Sequence, residues 1–387
     1  MTTNTPPQWN PQSPEVLRDQ RAAYDQLRER CPLAHSESQH YAVLRHAEVM
    51  QVLQDHHRFS SAVSQFPAVP NGYDPPEHTA YRRALDPFFA PERMAHFEPM
   101  CRALCSATIR EALALGSALE ITQEFALPFA VRVQSAFLGW PTLLQDELLG
   151  WLRRSHAATR SGDRAQTSAV AQEFEDLVNR VRQARQHAPP TQDISSELMH
   201  TRVDGRLLDL RELASVLRNW TVGEVGTIAA SIGILLHWLA SHPDWQQRLR
   251  EQPALLPQAI DEVLRIDGPL VSNRRITSRA TDLGGCPLPA GSRLSVNWIA
   301  ANRDPRVFGD PDEFRMDRDP QLNLLYGAGI HVCPGAPLAR LELRVLMEEL
   351  LAHTSGITLS AEHPPTRAVY PDAGYATLRL RLHPAIA

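Results

Sequence analysis

The sequence predicts a mainly α single domain with a minor β part, and three observations carry that expectation. Most of the 387 residues show helical periodicity. Residues 208–241 form a long, strongly apolar run that reads as a buried core helix. From 269 to 298 the character changes, and Gly284-Gly285, Pro287, Pro289 and Gly291 punctuate short apolar runs, as small strands and turns do.

Each element has its own signal. Residues 15–30 alternate as an amphipathic helix, and Tyr41-Ala-Val-Leu-Arg45 reads as a short strand. In Asp74-Pro-Pro-Glu-His78-Thr-Ala-Tyr-Arg82 the two prolines open a helix on which His78 and Arg82 share a face. Helices are expected over 91–115 and over 143–186, the second with a polar break at Ser161-Gly162-Asp163. His242-Pro243 punctuates the long helix before Asp244 to Arg250 continues it, and Leu255 to Ile266 forms another helix. Residues 302–334, rich in Pro, Asp, Gly and Asn, are irregular, and so long a loop inside a compact domain is usually functional. A helix follows from Pro337 to His353, and Thr377 to Leu382 alternates as a strand arm. With no internal repeat and no linker, 1–387 reads as one domain.

Composition narrows the class of protein. Hydrophobic residues at 43% and charged residues at 21% suit a globular protein with a core large enough to enclose a cofactor. A net charge of −5 argues against nucleic acid as a partner. All 39 basic residues are arginine. Five scattered cysteines do not suggest a disulfide framework, which points to a reducing compartment and a cytoplasmic location. The polar N-terminus lacks a signal-peptide core, and the apolar stretch from Val225 to Ala240 is short for a bilayer, so no membrane is expected.

The most informative stretch is Tyr326-Gly-Ala-Gly-Ile-His-Val-Cys-Pro-Gly335, followed by Ala336-Pro-Leu-Ala-Arg-Leu-Glu342. A thiolate that binds a flat macrocycle must lie close against it. Gly327, Gly329 and Gly335 remove side chains from such a contact and allow positive φ. A helix beginning just after Cys333 stabilises negative charge on the sulfur. A dinucleotide loop is a poorer fit, because G-x-G-x-x-G is not completed and no strand leads in.

This segment resembles the haem-binding signature of cytochromes P450: an aromatic residue, Gly, any, Gly, any, His or Arg, any, Cys, any, Gly. The resemblance extends over nearly the whole chain. It implies a P450-like domain of about a dozen helices, with haem b between the long helix and the Cys loop with its following helix. Cys333 would be the axial ligand, with Tyr326, Gly327, Gly329, His331, Gly335 and Ala339 around the group. His78, Arg82, Arg275 and His331 would meet its two carboxylates, which are costly to bury without partners. Glu262 and Arg265, at i,i+3 in Glu262-Val-Leu-Arg265, match a structural pair that Arg318 would join. Taken alone, each of these charges reads as ordinary surface.

The implied activity is monooxygenation, with one atom of O₂ inserted into a small or medium, mostly apolar molecule. Electrons would come from NAD(P)H through a ferredoxin and its reductase, or a flavodoxin, to a monomer. A peroxide-driven peroxygenase and a haem sensor are the rivals. Phe66, Val69, Val222, Gly223, Leu270, Val271 and Tyr375 are the expected pocket residues.

Two departures stand out. Pro334, directly after the ligand, has no N–H to donate toward the sulfur. The family usually carries an acid followed by Thr in the long helix. Here Gly223-Glu-Val-Gly-Thr227 places Thr227 at the alcohol, Gly226 at the acid, and a carboxylate instead at Glu224. Glu224 has three readings: an ion pair with an Arg, proton delivery, or a hydrogen bond to substrate.

Overall fold

The computed structural model describes residues 5–64, 68–116, 118–186 and 193–385, and the fold is mainly α with small sheets. The described residues divide into two compact units. The first lies within 1–65, 230–336 and 357–380, and the second within 66–229, 337–356 and 381–387.

The first unit is built on a five-stranded sheet ordered Leu33–Ser36, His40–Val43, Arg293–Asn297, Ser272–Thr277, Phe59–Ser60. Its register sets Arg275 opposite Leu294. Alternation puts Leu33, Val43, Phe59, Leu294 and Val296 into one core with Val49 and Val52 of the helix His46–Gln54. Neither that helix nor the short helix Trp298–Asn302 has a distinct signal in the sequence.

The second unit is helical. Pro91–Ala114, Leu127–Leu138, Gln145–Ser161 and Arg164–Gln186 pack through aromatic contacts. Phe89 stacks on Phe137 at 5.7 Å, and Trp151 meets Phe174 at 4.5 Å. Gly162, at φ 67°, breaks the expected 143–186 helix where its left-handed residue ends the first half. Likewise the helix expected over 15–30 is two, because Asp19 leaves helical geometry and caps the second through Arg21 and Ala22.

The long helix spans Leu210–Ser241. By length and composition it is sufficient to cross a membrane, against the expectation from its shorter apolar run. In the fold, however, Val225, Ile228, Ile232, Leu235 and Leu236 are buried in protein.

Candidate active site

Cys333 is exposed, whereas Cys31, Cys101, Cys105 and Cys286 are buried. The loop that presents it is tightly bonded. Gly327 N–H donates to Leu324 at 3.0 Å, Cys333 N–H to the Tyr326 carbonyl at 2.9 Å, and Val332 N–H to Gly329 at 3.1 Å. Gly327 and Gly329 take φ of 72° and 70°, which side chains resist. A Cβ at Gly329 would also lie 2.4 Å from the Leu53 carbonyl oxygen. Gly335 is not among the glycines with positive φ, so the conformational reading of that residue is corrected. The helix Ala336–His353 starts three residues after the sulfur.

His331, Arg275, Glu262, Arg265 and Arg318 belong to the same unit as this loop. His331 Nε2 meets Ser61 Oγ at 2.9 Å. Arg275, 7% exposed on the sheet, donates Nη1 to the Arg274 carbonyl at 2.8 Å. Glu262 binds Arg265 through both oxygens at 2.8 and 2.9 Å, and Arg318 Nε reaches the same carboxylate at 3.0 Å. Arg265 and Arg318 spend their remaining N–H groups on carbonyls, among them Asn302 at 2.8 Å and Glu313 at 3.0 Å. No lone pair or donor of consequence is left over there, which is what burial of ions requires.

In the second unit the helix Glu77–Leu85 carries His78, which is buried, and Arg82, whose Nε pairs with Asp86 at 2.6 Å. On the long helix Val222 is 38% exposed and Gly223 is exposed. Thr227 Oγ1 donates back to the Gly223 carbonyl at 2.7 Å, and lies 3.2 Å from that of Glu224. The expected acid position is Gly226, and His156 fills the space beside it: a Cβ there would lie 3.8 Å from Nε2.

Among the described residues Glu224 pairs with no Arg. Its two oxygens are buried with no hydrogen-bond partner among the described residues, and so are both oxygens of Glu342 on the helix Ala336–His353. Burial, and then Glu342, hold Glu224 well above the usual carboxylate range. Burial pushes Glu342 up to about 8, with Glu224 acting the other way. Glu342 escaped attention in the sequence, although an acid on the Leu338, Leu341, Val345 face of a helix is a signal that it is buried.

The expected pocket residues divide. Val222, Gly223 and Leu270, the last 37% exposed, are accessible. Val69, Val271 and Tyr375 are buried. Val69 is clipped to the long helix through Ser215 and Asn219, and Val271 belongs to the core around Tyr24 and Leu44. Tyr375 is stacked on His237 at 4.6 Å with Arg367 over its ring. Phe66 lies outside the described residues. An open groove of 1910 Å³ in the second unit, with Phe97, Met100 and Leu213 in its wall, contains none of the site residues. Ala339 is half-buried one turn into its helix.

This donor set fits a haem. Within the first unit it offers an exposed sulfur on a glycine loop, and the half-buried His331 and buried Arg275 side chains for carboxylates. Comparison with known proteins agrees. The family model for cytochrome P450 matches residues 149–369, more than half of the chain. The erythromycin C-12 hydroxylase of Saccharopolyspora erythraea is 30% identical over 364 residues, 89% of this chain and 90% of that one. The nocardicin C N-oxygenase of Nocardia uniformis is 32% identical and covers 84% of each. Among solved structures, a cytochrome P450 from Chondromyces apiculatus superposes with a TM-score of 0.87 at 28% identity, over 98% of this chain and 99% of that one. A mutant of P450 EryK in complex with erythromycin B gives 0.85 at 28%, over 95% and 97%. With fold, loop and relatives in agreement, the chain belongs to the cytochrome P450 family and is a haem-thiolate monooxygenase.

Proposed function

We propose that this enzyme inserts one oxygen atom of O₂ into a small or medium, mostly apolar organic molecule, by hydroxylation or dealkylation. The observation that carries the reading is Cys333, the exposed cysteine of a loop whose glycines cannot be replaced without strain. Cys333 would ligate the haem iron; Tyr326, Gly327, Gly329, Gly335 and Ala339 would border the group, and His78, Arg82, Arg275 and His331 would hold its carboxylates. Bound haem supplies the one-electron and dioxygen chemistry, and the thiolate pushes electron density that favours O–O cleavage. Val222, Gly223 and Leu270 line the substrate side, and the Thr227 hydroxyl hands protons onward. Electrons reach the enzyme from NAD(P)H through a ferredoxin with its reductase, or a flavodoxin, and the enzyme works as a cytoplasmic monomer of one haem-thiolate domain. The relatives' names, which include erythromycin, nocardicin C and dihydromenaquinone, do not converge on one substrate.

The test is spectroscopic. The reduced, CO-bound protein is expected to show the red-shifted Soret band of thiolate ligation, and Cys333→Ser to lose it. A band that persists in the variant overturns the ligand assignment. Turnover with peroxide but never with a reductase system would convert the reading to a peroxygenase.

A further inference from the structure

In the second unit the helix Glu77–Leu85 carries His78 and Arg82, the side chains assigned there to the haem carboxylates, and it is poorly equipped to hold its own direction. It has nine residues, and its N-cap is Pro76, with no side-chain cap bond. A helix of that length takes its stability from tertiary contacts. The pair of Arg82 with Asp86, at i,i+4, is internal to the segment and does not set how the helix is turned.

Tyr81 reaches outside it. Tyr81 is 5% exposed, and its hydroxyl donates to the Glu212 carboxylate in the first turn of the helix Leu210–Ser241. That carboxylate is gripped by two further groups. Arg206 donates Nη1 and Nη2 to its two oxygens at 2.7 and 2.6 Å, and the Asp209 N–H donates to it at 2.9 Å. The Glu212 N–H returns a bond to Asp209 Oδ1 at 2.8 Å, which completes a reciprocal cap on the long helix. Arg206 Nη2 also donates to the Tyr81 oxygen at 3.2 Å. Arg206 itself stands on a hairpin, paired with Val203 across the left-handed turn residues Asp204 and Gly205.

The cap does not require the phenol. Asp209 and Arg206 already fill three of the about four acceptor sites of a carboxylate, and the Arg206 side chain is 55% exposed, so water can reach the fourth. A buried O–H is costly unless it is bonded, and an apolar side chain would fill the same space without that cost. What the phenol adds is a fixed link from the helix of His78 and Arg82 to the start of the helix of Thr227. The link is steady with pH. Arg206 holds Glu212 down to about 2, while burial, and then Glu212, push the Tyr81 hydroxyl up to about 12. Tyr81 is three residues from His78 and adjacent to Arg82, so a turn of the helix that breaks its bond swings both side chains together.

We propose that Tyr81 is a positioning residue: with its hydroxyl on the Arg206-clamped Glu212, it fixes the turn of the helix Glu77–Leu85 and so aims His78 and Arg82 at the haem carboxylates. The proposal rests on the carboxylate assignment made under the proposed function. In this role Tyr81 acts through its neighbours on the helix, and the clamp on Glu212 is part of the device because it keeps the acceptor from following the phenol.

The experiment uses the haem-loaded enzyme, with Tyr81→Phe as the main variant because it removes one oxygen and keeps the ring. Each protein is first checked for the CO-bound spectrum of the wild type. Two measurements follow: the rate of haem loss to excess apomyoglobin, and the propionate bending bands in the resonance Raman spectrum, which respond to hydrogen bonds at the carboxylates. Tyr81→Phe should lose haem faster by on the order of tenfold and shift a propionate band. Arg206→Gln, which loosens the clamp and leaves the phenol, should shift the band less, and its addition to Tyr81→Phe should change little more. Ile109→Val, a core trim in the helix Pro91–Ala114, should leave the band in place, which separates positioning from general loosening. The proposal is overturned if Tyr81→Phe keeps the wild-type rate and band, or if Ile109→Val moves the band as far. If Arg82→Gln and His78→Gln shift the bands and Tyr81→Phe does not, the positioning role alone fails. If neither of those two variants moves a band, the carboxylate assignment fails and takes the proposal with it, so the two failures are distinguishable.

Discussion

Two buried acidic sites in this molecule solve the same problem in opposite ways. At Glu262, 5% exposed, two guanidinium groups and the Arg315 N–H surround one carboxylate. At Glu224 and Glu342 the carboxyl oxygens are buried with no hydrogen-bond partner among the described residues. The first arrangement is complete, so it holds loops in place and has nothing to exchange. At the second, burial raises both acids above the usual carboxylate range and favours their neutral form. Burial by itself therefore says little about what an acid does; the partner it meets determines whether it braces the fold or stores a proton.

The largest effect that would break this contrast is expected at Glu262. Removing it leaves two arginines unpaired in the first unit, and Arg265 is 1% exposed. Glu262→Ala should destabilise by about 3–5 kcal/mol, measured by denaturant unfolding. A loss below 1 kcal/mol would mean that the three-membered cluster is ornamental.

A smaller loss is expected where the Cys loop depends on backbone space. Gly329→Ala meets both a left-handed φ and the Leu53 carbonyl. It should cost about 1–3 kcal/mol and reduce haem retention, seen as a lower ratio of Soret to protein absorbance. Equal retention would show that the loop can shift at no penalty.

The third effect concerns the sign of pH dependence. Glu342 has its folded pKa near 8, above the ordinary 4.5 of a glutamate. Its contribution to stability is thus complete below the ordinary value and is lost as pH rises toward about 8. Wild-type stability should fall across that window. Glu342→Gln should flatten the fall and become the more stable protein at the alkaline end, by roughly 1–2 kcal/mol. Glu262→Gln should lose stability at neutral pH instead, since its arginines remain charged. An unchanged slope in Glu342→Gln would remove the distinction between the two sites.

The smallest effect is electronic. Pro334 donates no N–H toward the Cys333 sulfur, so Pro334→Leu should raise the haem reduction potential modestly by adding a donor. Spectroelectrochemistry would detect an unchanged or lower potential, which would show that this amide is not directed at the sulfur.

What could be read before folding follows chain proximity. The Cys loop, its glycines and the helix behind it are contiguous, so their spacing alone carried the chemistry of Cys333. Glu262 and Arg265 share one helical turn, and Arg318 was within reach of a family pattern. The long helix announced itself by its apolar length. The helix His46–Gln54 and the break at Asp19 did not, because a short helix and a capping aspartate resemble loop sequence locally.

The sequence by itself determined the glycine-rich cysteine loop, the class of cofactor and the glycine at 226, because each depends on residue type at fixed local spacing. Tertiary structure alone decided that Val271 and Tyr375 belong to the core, since burial depends on what packs across from a residue. It also decided the fate of Glu224. Its surroundings form only when helices pack, and the low dielectric there holds both Glu224 and Glu342 above the usual carboxylate range.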